Sequence, residues 1–234
     1  MKCPTHGKVM LGKEVIMKQV FVISGGSIED SFAIGVIEQN EPELLIAADS
    51  GMDFFYRSGI KPDVIVGDFD SVKPEPLAYF RELPEIEFCE LNPMKDDTDT
   101  EFAIRLAIKR GAEQITILGG TGSRIDHVLG NIELLGIGLQ EQVSITILDA
   151  HNRIRMVDRG IAIRKEEQFG DYVSLIPYTS EVAGLTLRGF KYPLLDYCLK
   201  GFCSLGISNE IVEEEAVITF DKGILLVIES RDRA

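Results

Sequence analysis

The chain has 234 residues and carries 38 Asp and Glu against 24 Lys and Arg, a formal net charge of −14. Its 45% apolar and 26% charged residues are ordinary for a globular protein, and the length suffices for one large domain or two modest ones. The acidic balance excludes broad nucleic-acid binding, because a phosphate polymer is repelled, and no apolar run reaches the roughly 18 residues that span a bilayer. Short apolar runs rich in Val and Ile come first along the chain: Gln19 to Ser24, Leu44 to Asp49, Val64 to Asp68, Ile86 to Leu91, Ile115 to Leu118 and Val143 to Leu148. Each is too short for a core helix, and several are apolar almost throughout, as strands covered on both faces are. The first strand region as a whole begins at Met17, and residues 1–16 read as an extended start or a disordered tail.

Helices lie between the runs. The clearest spans Asp99 to Arg110, with Phe102, Ala103, Leu106 and Ala107 on one face and Gly111 at its end. Thr98-x-x-Glu101 is a capping-box pattern at its start. A second helix follows Ile125, with Val128, Leu129, Ile132 and Leu135 as its apolar stripe. This alternation predicts a doubly wound, parallel α/β sheet over residues 17–150. From His151 onward the texture changes. Strand-like runs (Ile154 to Val157, Tyr172 to Pro177, Val182 to Leu187, Ala216 to Phe220, Ile224 to Glu229) follow one another without an amphipathic helix, and Asp221-Lys222-Gly223 reads as a short hairpin between the last two. Residues 151–234 therefore read as a small antiparallel β-sandwich or barrel.

Met1 to Lys18 holds no secretory apolar core, so the expected location is cytoplasmic. Cys3, Cys89, Cys198 and Cys203 form no Cys-x-x-Cys pair and have only three histidines to complement them, so four reduced thiols are expected rather than a zinc site.

Polar or glycine-rich loops follow five of the predicted strands: Ser24-Gly25-Gly26, Asp49-Ser50-Gly51, Gly67 to Ser71, Lys95 to Asp99, and Gly119 to Arg124, the last running into Asp126 and His127. Ligands bind at that edge of an open α/β sheet. Asp68, Asp70, Asp96, Asp97 and Asp99 would crowd like charges together there, which is costly without a cation. An oxygen-rich set of this kind suits Mg²⁺. Each Asp taken singly reads better as a turn former or an N-cap; Asp68, Asp70 and Asp99 together favour the metal. In Gly119 to Arg124, glycines let backbone N–H groups approach phosphate, and Arg124 can clamp its oxygens. A plain strand-to-helix turn is the competing reading, because the segment matches no standard phosphate-loop pattern. Asp126 reads as a metal ligand, a substrate anchor or a cap. His127 reads as a general base or a hydrogen-bonded structural residue, and Asn131 lies one turn on from it.

Taken together, AADSGMDFF (Ala47 to Phe55), KPDVIVGDFDSV (Lys61 to Val72), KDDTDTEFAI (Lys95 to Ile104) and GGTGSRIDHVLGNI (Gly119 to Ile132) resemble the thiamine pyrophosphokinase family. GLTLRGFKYPL (Gly184 to Leu194) and SLGISNEI (Ser204 to Ile211) extend the resemblance from about Met17 to the end of the chain. It implies an N-terminal α/β domain, a C-terminal β-sandwich and a homodimer with thiamine between the two kinds of domain. It also implies transfer of a pyrophosphoryl group from ATP to the thiamine hydroxyl, releasing AMP. By motif, Asp68, Asp70 and Asp99 would hold Mg²⁺ and the ATP phosphates, and Ser24, Gly25, Asp49, Ser50, Gly51 and Ser71 would border the nucleotide. Thr98, Gly119, Gly122, Ser123, Arg124, Asp126 and His127 would complete the phosphate pocket. Asp99, then Asp70, is the candidate proton acceptor, and Tyr192, Ser208 and Asn209 would meet thiamine. Ser50 stands where relatives commonly carry a second glycine, and the chain has no Trp, so stacking on thiamine falls to Tyr or Phe or to no aromatic. An Asp-rich Mg²⁺ phosphohydrolase and a non-catalytic thiamine or nucleotide sensor are the competing functions.

Overall fold

The computed structural model describes residues 18–70, 72–91 and 97–232. Met17, Ser71, Lys95 and Asp96 lie outside the described residues. Six strands run parallel: β1 (Gln19–Ile23), β2 (Leu44–Ala48), β3 (Val64–Gly67), β4 (Glu87–Glu90), β5 (Gln114–Leu118) and β6 (Ser144–Leu148). Their order across the sheet is β4-β3-β2-β1-β5-β6. The near-continuous apolar character of β1 has a direct cause. Val20 and Val22 face a core shared with helices α4 (Asp99–Lys109) and α5 (Ile125–Glu141), while Phe21 and Ile23 face α1 (Asp30–Asn40), α2 (Met52–Ser58) and α3 (Pro74–Arg81). From Val20 to Ile23 both faces are dry, so each of those four positions is apolar, and each such side chain contributes about 1.5–3 kcal/mol by burial.

Local signals set the helix ends. Thr98 Oγ1 accepts the Glu101 backbone N–H at 3.2 Å, the first half of the expected capping box. The second half is not made, because the Glu101 carboxylate instead takes two bonds from Arg105 one turn on, at 2.9 and 2.6 Å. The buried face of α4 comprises Thr100, Ala103, Ile104 and Ala107, with Phe102 and Leu106 only half-buried. In α5 the predicted stripe fails at its N-terminal end: Leu129 is 57% exposed, whereas Leu135, Ile137 and Gly138 are buried. The first turns of α5 wall an open cleft instead of the core.

Beyond β6 the sheet continues. Strands β7 (Asn152–Val157), β13 (Leu225–Ser230) and β9 (Tyr172–Pro177) join it antiparallel, giving nine strands in all. A second sheet of four antiparallel strands has the order β11 (Leu194–Lys200), β10 (Glu181–Arg188), β12 (Glu215–Thr219), β8 (Ile161–Arg164). Leu225 and Val227 of β13 pack with Leu185, Leu187, Ala216 and Ile218 of that sheet, while Leu226 between them belongs to the core under α5. One strand thus serves both layers, through its alternating faces.

The expected hairpin at Asp221-Lys222-Gly223 is not one. Strands β12 and β13 lie in different sheets, and the turn pairs with β10, through Asp221 N–H to the Ala183 carbonyl and Ala183 N–H to the Lys222 carbonyl, each at 2.9 Å. Strands β8 and β11 were not expected from the sequence.

Candidate active site

The strand order reverses at β1 and β5, and the loops that leave their C-terminal ends interlock. Ser24 N–H donates to the Leu118 carbonyl (2.8 Å), Gly26 N–H to Gly119 (2.9 Å) and Ser27 N–H to Thr121 (2.7 Å). The contact is backbone to backbone. A Cβ on Gly26 would lie 2.2 Å from the Thr121 carbonyl oxygen, and one on Gly119, whose φ is +69°, would lie 2.3 Å from that of Ser24. Only glycine meets both demands at Gly119. The Ser24 and Thr100 hydroxyls, 2.7 Å apart, tie the same loop to the first turn of α4.

These loops wall a cleft of about 760 Å³. Ser24, Gly25, Asp49 and Ser50 line one side; Thr98, Asp99 and Thr100 line the second; Gly119, Gly122, Ser123, Arg124, Asp126 and His127 line the third. Gly51 is buried behind the wall. The N-termini of α4 and α5 both open onto this space. Each presents the positive end of a helix dipole, which suits an anionic ligand despite the acidic composition.

Arg124 precedes α5 and makes a bidentate pair with Asp126, at 2.6 and 3.3 Å. Its guanidinium bond holds the Asp126 carboxyl below the usual carboxylate range. Both side chains are about two-thirds exposed (67% and 66%), so the pair is weak and a phosphate can compete for the guanidinium.

Asp68 and Asp70 follow β3 at the same edge of the sheet but do not line the cleft. Phe69 between them adopts φ +62°, and Asp70 N–H donates to Asp68 Oδ1 at 3.2 Å. Among the described residues no three His, Cys, Asp or Glu side chains are gathered closely enough to hold a metal. Ser71 lies outside the described residues.

The other predicted residues stand on the sandwich, and the cleft wall comes wholly from residues 24–134. Asn209 is buried and bonded through both ends of its amide: its Oδ1 accepts N–H groups of Tyr192 (3.0 Å) and Glu210 (2.9 Å), and its Nδ2 donates to the Tyr192 carbonyl (2.8 Å). Asn209 thereby fixes the backbone of Tyr192, whose ring is 60% exposed with Lys191 Nζ 5.6 Å from its centroid. Ser208 is exposed at φ +56°, and its N–H donates to Ser174 Oγ at 3.0 Å.

Sequence reasoning missed Thr100 and Thr121 as cleft residues and gave Asn131 no definite role. Asn131 Nδ2 donates to the Gly120 carbonyl at 2.8 Å from the face of α5 that also carries His127 and Leu134. The spacing 127, 131, 134 is the helical signal that marks that face.

Comparison with known proteins gives a consistent result. Residues 38–147 match the family model for the thiamin pyrophosphokinase catalytic domain, and residues 160–225 match that for the thiamin pyrophosphokinase vitamin B1 binding domain. The thiamine pyrophosphokinase of Bacillus subtilis (strain 168) is 34% identical over 220 residues, covering 92% of this chain and 100% of the relative. Thiamine pyrophosphokinase 1 of Oryza sativa subsp. japonica is 32% identical over 206 residues, covering 82% and 74%. The crystal structure of the Bacillus subtilis enzyme superposes with a TM-score of 0.83 at 33% identity over 92% and 100% of the chains; that of the Geobacillus thermodenitrificans enzyme superposes with 0.80 at 30% over 92% and 99%. With the glycine loops, the acidic turn and both helix N-termini in the expected order along the fold, the chain belongs to the thiamin pyrophosphokinase family.

Proposed function

We propose that this chain transfers a pyrophosphoryl group from ATP to thiamine, giving thiamine diphosphate and AMP. The observation that carries the reading is the cleft itself: a set of glycine loops at the sheet's reversal point, faced by two helix N-termini, in a chain similar over 92% of its length to a thiamine pyrophosphokinase. Residues 17–150 would form the nucleotide-binding domain and residues 151–234 the thiamine-binding and dimerisation domain. The expected cytoplasmic location stands as part of the same proposal. No helix among the described residues is long and apolar enough to cross a membrane.

The thiamine hydroxyl oxygen attacks the β-phosphorus, the bond from that phosphorus to the α,β-bridging oxygen breaks, and AMP leaves with that oxygen. Such transfers need positioning and charge neutralisation more than proton removal early in the step. Arg124 would exchange Asp126 for phosphate oxygens, and the amides of the Gly119 to Ser123 loop and of the α5 N-terminus would receive the remaining charge. Asp126 and His127 would then border the transferred group. Asp99, or else Asp70, would take the hydroxyl proton late in the step.

The donor chemistry, though not the spacing seen among the described residues, suits a hard divalent cation: Asp68, Asp70 and Asp99 offer carboxylate oxygens with no sulfur among them, and these residues would hold Mg²⁺. When bound, Mg²⁺ neutralises phosphate charge and polarises the phosphoryl oxygens.

A homodimer is part of the proposal. Tyr192, Ser208 and Asn209 stand apart from the cleft of their own chain, so a second chain is the means of bringing thiamine to the nucleotide. Exposed Leu195, Tyr197, Phe202, Leu205 and Ile207 on and after β11 supply apolar surface for such an association.

Incubation with ATP, Mg²⁺ and thiamine, followed by chromatographic separation, tests the reading. AMP formed in step with thiamine diphosphate, and only when thiamine is present, is the expected result. ADP or inorganic phosphate would replace it with a kinase or phosphohydrolase, and binding without turnover with a sensor.

A further inference from the structure

The Gly119 to Arg124 loop is held from behind by a residue that does not touch the cleft. Asp149 follows β6, at the point where the sheet changes from parallel to antiparallel pairing. Its Oδ2 accepts the Thr121 hydroxyl at 2.7 Å. Its Oδ1 accepts the N–H groups of His151 and Asn152, both at 2.7 Å, and the Asn152 side-chain amide reaches both oxygens, at 3.1 and 3.2 Å. Asp149 N–H in turn donates to the Asn152 carbonyl at 2.9 Å. One carboxylate thus closes the turn into β7 and fastens the loop that faces the nucleotide. On the loop's other side Asn131 holds the Gly120 carbonyl, and the Thr121 carbonyl accepts Ser27 N–H.

We propose that Asp149 is a positioning residue for the reaction: through Thr121 it fixes the glycine loop that receives the ATP phosphates, and it ties that loop to the strand leading into the sandwich. The physical basis is general. Glycine-rich backbone is entropically costly to order, and loop amides stabilise phosphate only when held within a fraction of an ångström. The Thr121 to Asp149 bond is charge-assisted and half-buried, which gives it the strength to do this. The other contacts of the Asp149 carboxylate belong to the turn, so the Thr121 bond can be removed without opening the turn.

The inference rests on the ATP-dependent reading of the cleft, and its test separates the two. Thr121→Val removes the hydroxyl at nearly constant volume, Thr121→Ser restores it, and Asp149→Asn keeps a turn acceptor. ATP affinity is measured directly by calorimetry, KM for ATP and for thiamine by kinetics, and Tm by calorimetric melting. Thr121→Val is expected to weaken ATP binding and raise KM for ATP about tenfold while KM for thiamine moves less than about twofold, with Thr121→Ser close to wild type. The double variant Thr121→Val/Asp149→Asn should be no worse than the more severe single variant. Unchanged ATP affinity in Thr121→Val, equal changes for both substrates that track a lowered Tm, or additive effects in the double variant would each overturn it. A wild-type chain that binds ATP without turning over thiamine would sink the proposed reaction but leave the binding test intact; one that binds no ATP would sink both.

Discussion

The Ser50 hydroxyl occupies the space that a side chain at Gly25 would need: a Cβ placed on Gly25 would lie 2.0 Å from Ser50 Oγ. Ser50 is therefore packed against the absence of a side chain across the cleft wall. Its neighbour Gly26 faces backbone instead, at 2.2 Å from the Thr121 carbonyl oxygen and 2.3 Å from that of Gly119. A hydroxyl can rotate aside and a carbonyl held in a hydrogen bond cannot. Gly25→Ala should cost less than about 1 kcal/mol of stability, and adding Ser50→Gly should remove most of that cost. Gly26→Ala should cost about 3 kcal/mol and disrupt ATP binding. Urea unfolding of the three variants decides it; equal losses at Gly25 and Gly26 would contradict the packing described.

The acidic residues call for a different experiment. Asp68→Asn, Asp70→Asn and Asp99→Asn should each lower turnover by about 10² to 10³, the scale of a lost electrostatic contact in a transition state. Melting temperatures should stay within a few degrees of wild type, because Asp68 and Asp99 are half-exposed and Asp70 exposed. EDTA should stop product formation and added Mg²⁺ should restore it. Near-normal turnover in Asp70→Asn would remove that residue from the mechanism.

Much of the site was legible because its signals are local. Val and Ile runs gave the six parallel strands, and the loops after them gave most of the cleft wall. What escaped depends on contacts distant in sequence. Thr121 and Asp149 are 28 positions apart, and only the β5–β6 pairing brings them together. Strand β11 escaped for another reason. It lies at a sheet edge, its pairing with β10 shifts register twice, Asp196 sits at φ +47°, and Leu195 is 80% exposed, so no two-residue alternation survives in its sequence. The false hairpin after β12 shows the converse: a good turn sequence specifies a reversal but not which strand pairs with it.

Glu229 on β13 is fully buried among basic groups. It accepts from Arg153 Nε and Nη2 (2.8 and 2.5 Å), Arg155 Nη2 (2.7 Å) and the Phe169 backbone N–H (3.1 Å). Burial pushes the Arg155 guanidinium below its ordinary range, with Glu229 opposing that shift. Removing the carboxylate would leave two partly buried guanidiniums without their anion. Glu229→Ala should therefore cost about 3–5 kcal/mol, and Glu229→Gln, which keeps an acceptor, distinctly less. Urea unfolding at neutral pH measures both; a loss below about 1 kcal/mol in Glu229→Ala would show that the cluster relaxes without its anion.

Tyr178, just beyond β9, donates its hydroxyl to Glu133 of α5 and so joins the sandwich side of the nine-stranded sheet to a helix of the cleft. Burial, then the bond and charge of Glu133, push the phenol up to about 12. A phenol whose pKa rises on folding stabilises the fold fully below its ordinary value near about 10, and that contribution is lost as pH climbs through its folded value. Tyr56, raised by its bond to Glu75, complicates a simple titration, so the comparison must be with Tyr178→Phe. The difference in absorbance near 295 nm between wild type and Tyr178→Phe should titrate as one group well above the ordinary tyrosine range. The stability gap between the two proteins should be constant at neutral pH and close over the same alkaline interval. A difference titration at the ordinary tyrosine value would mean that the Glu133 bond, and with it this link between sheet and helix, is not made in solution.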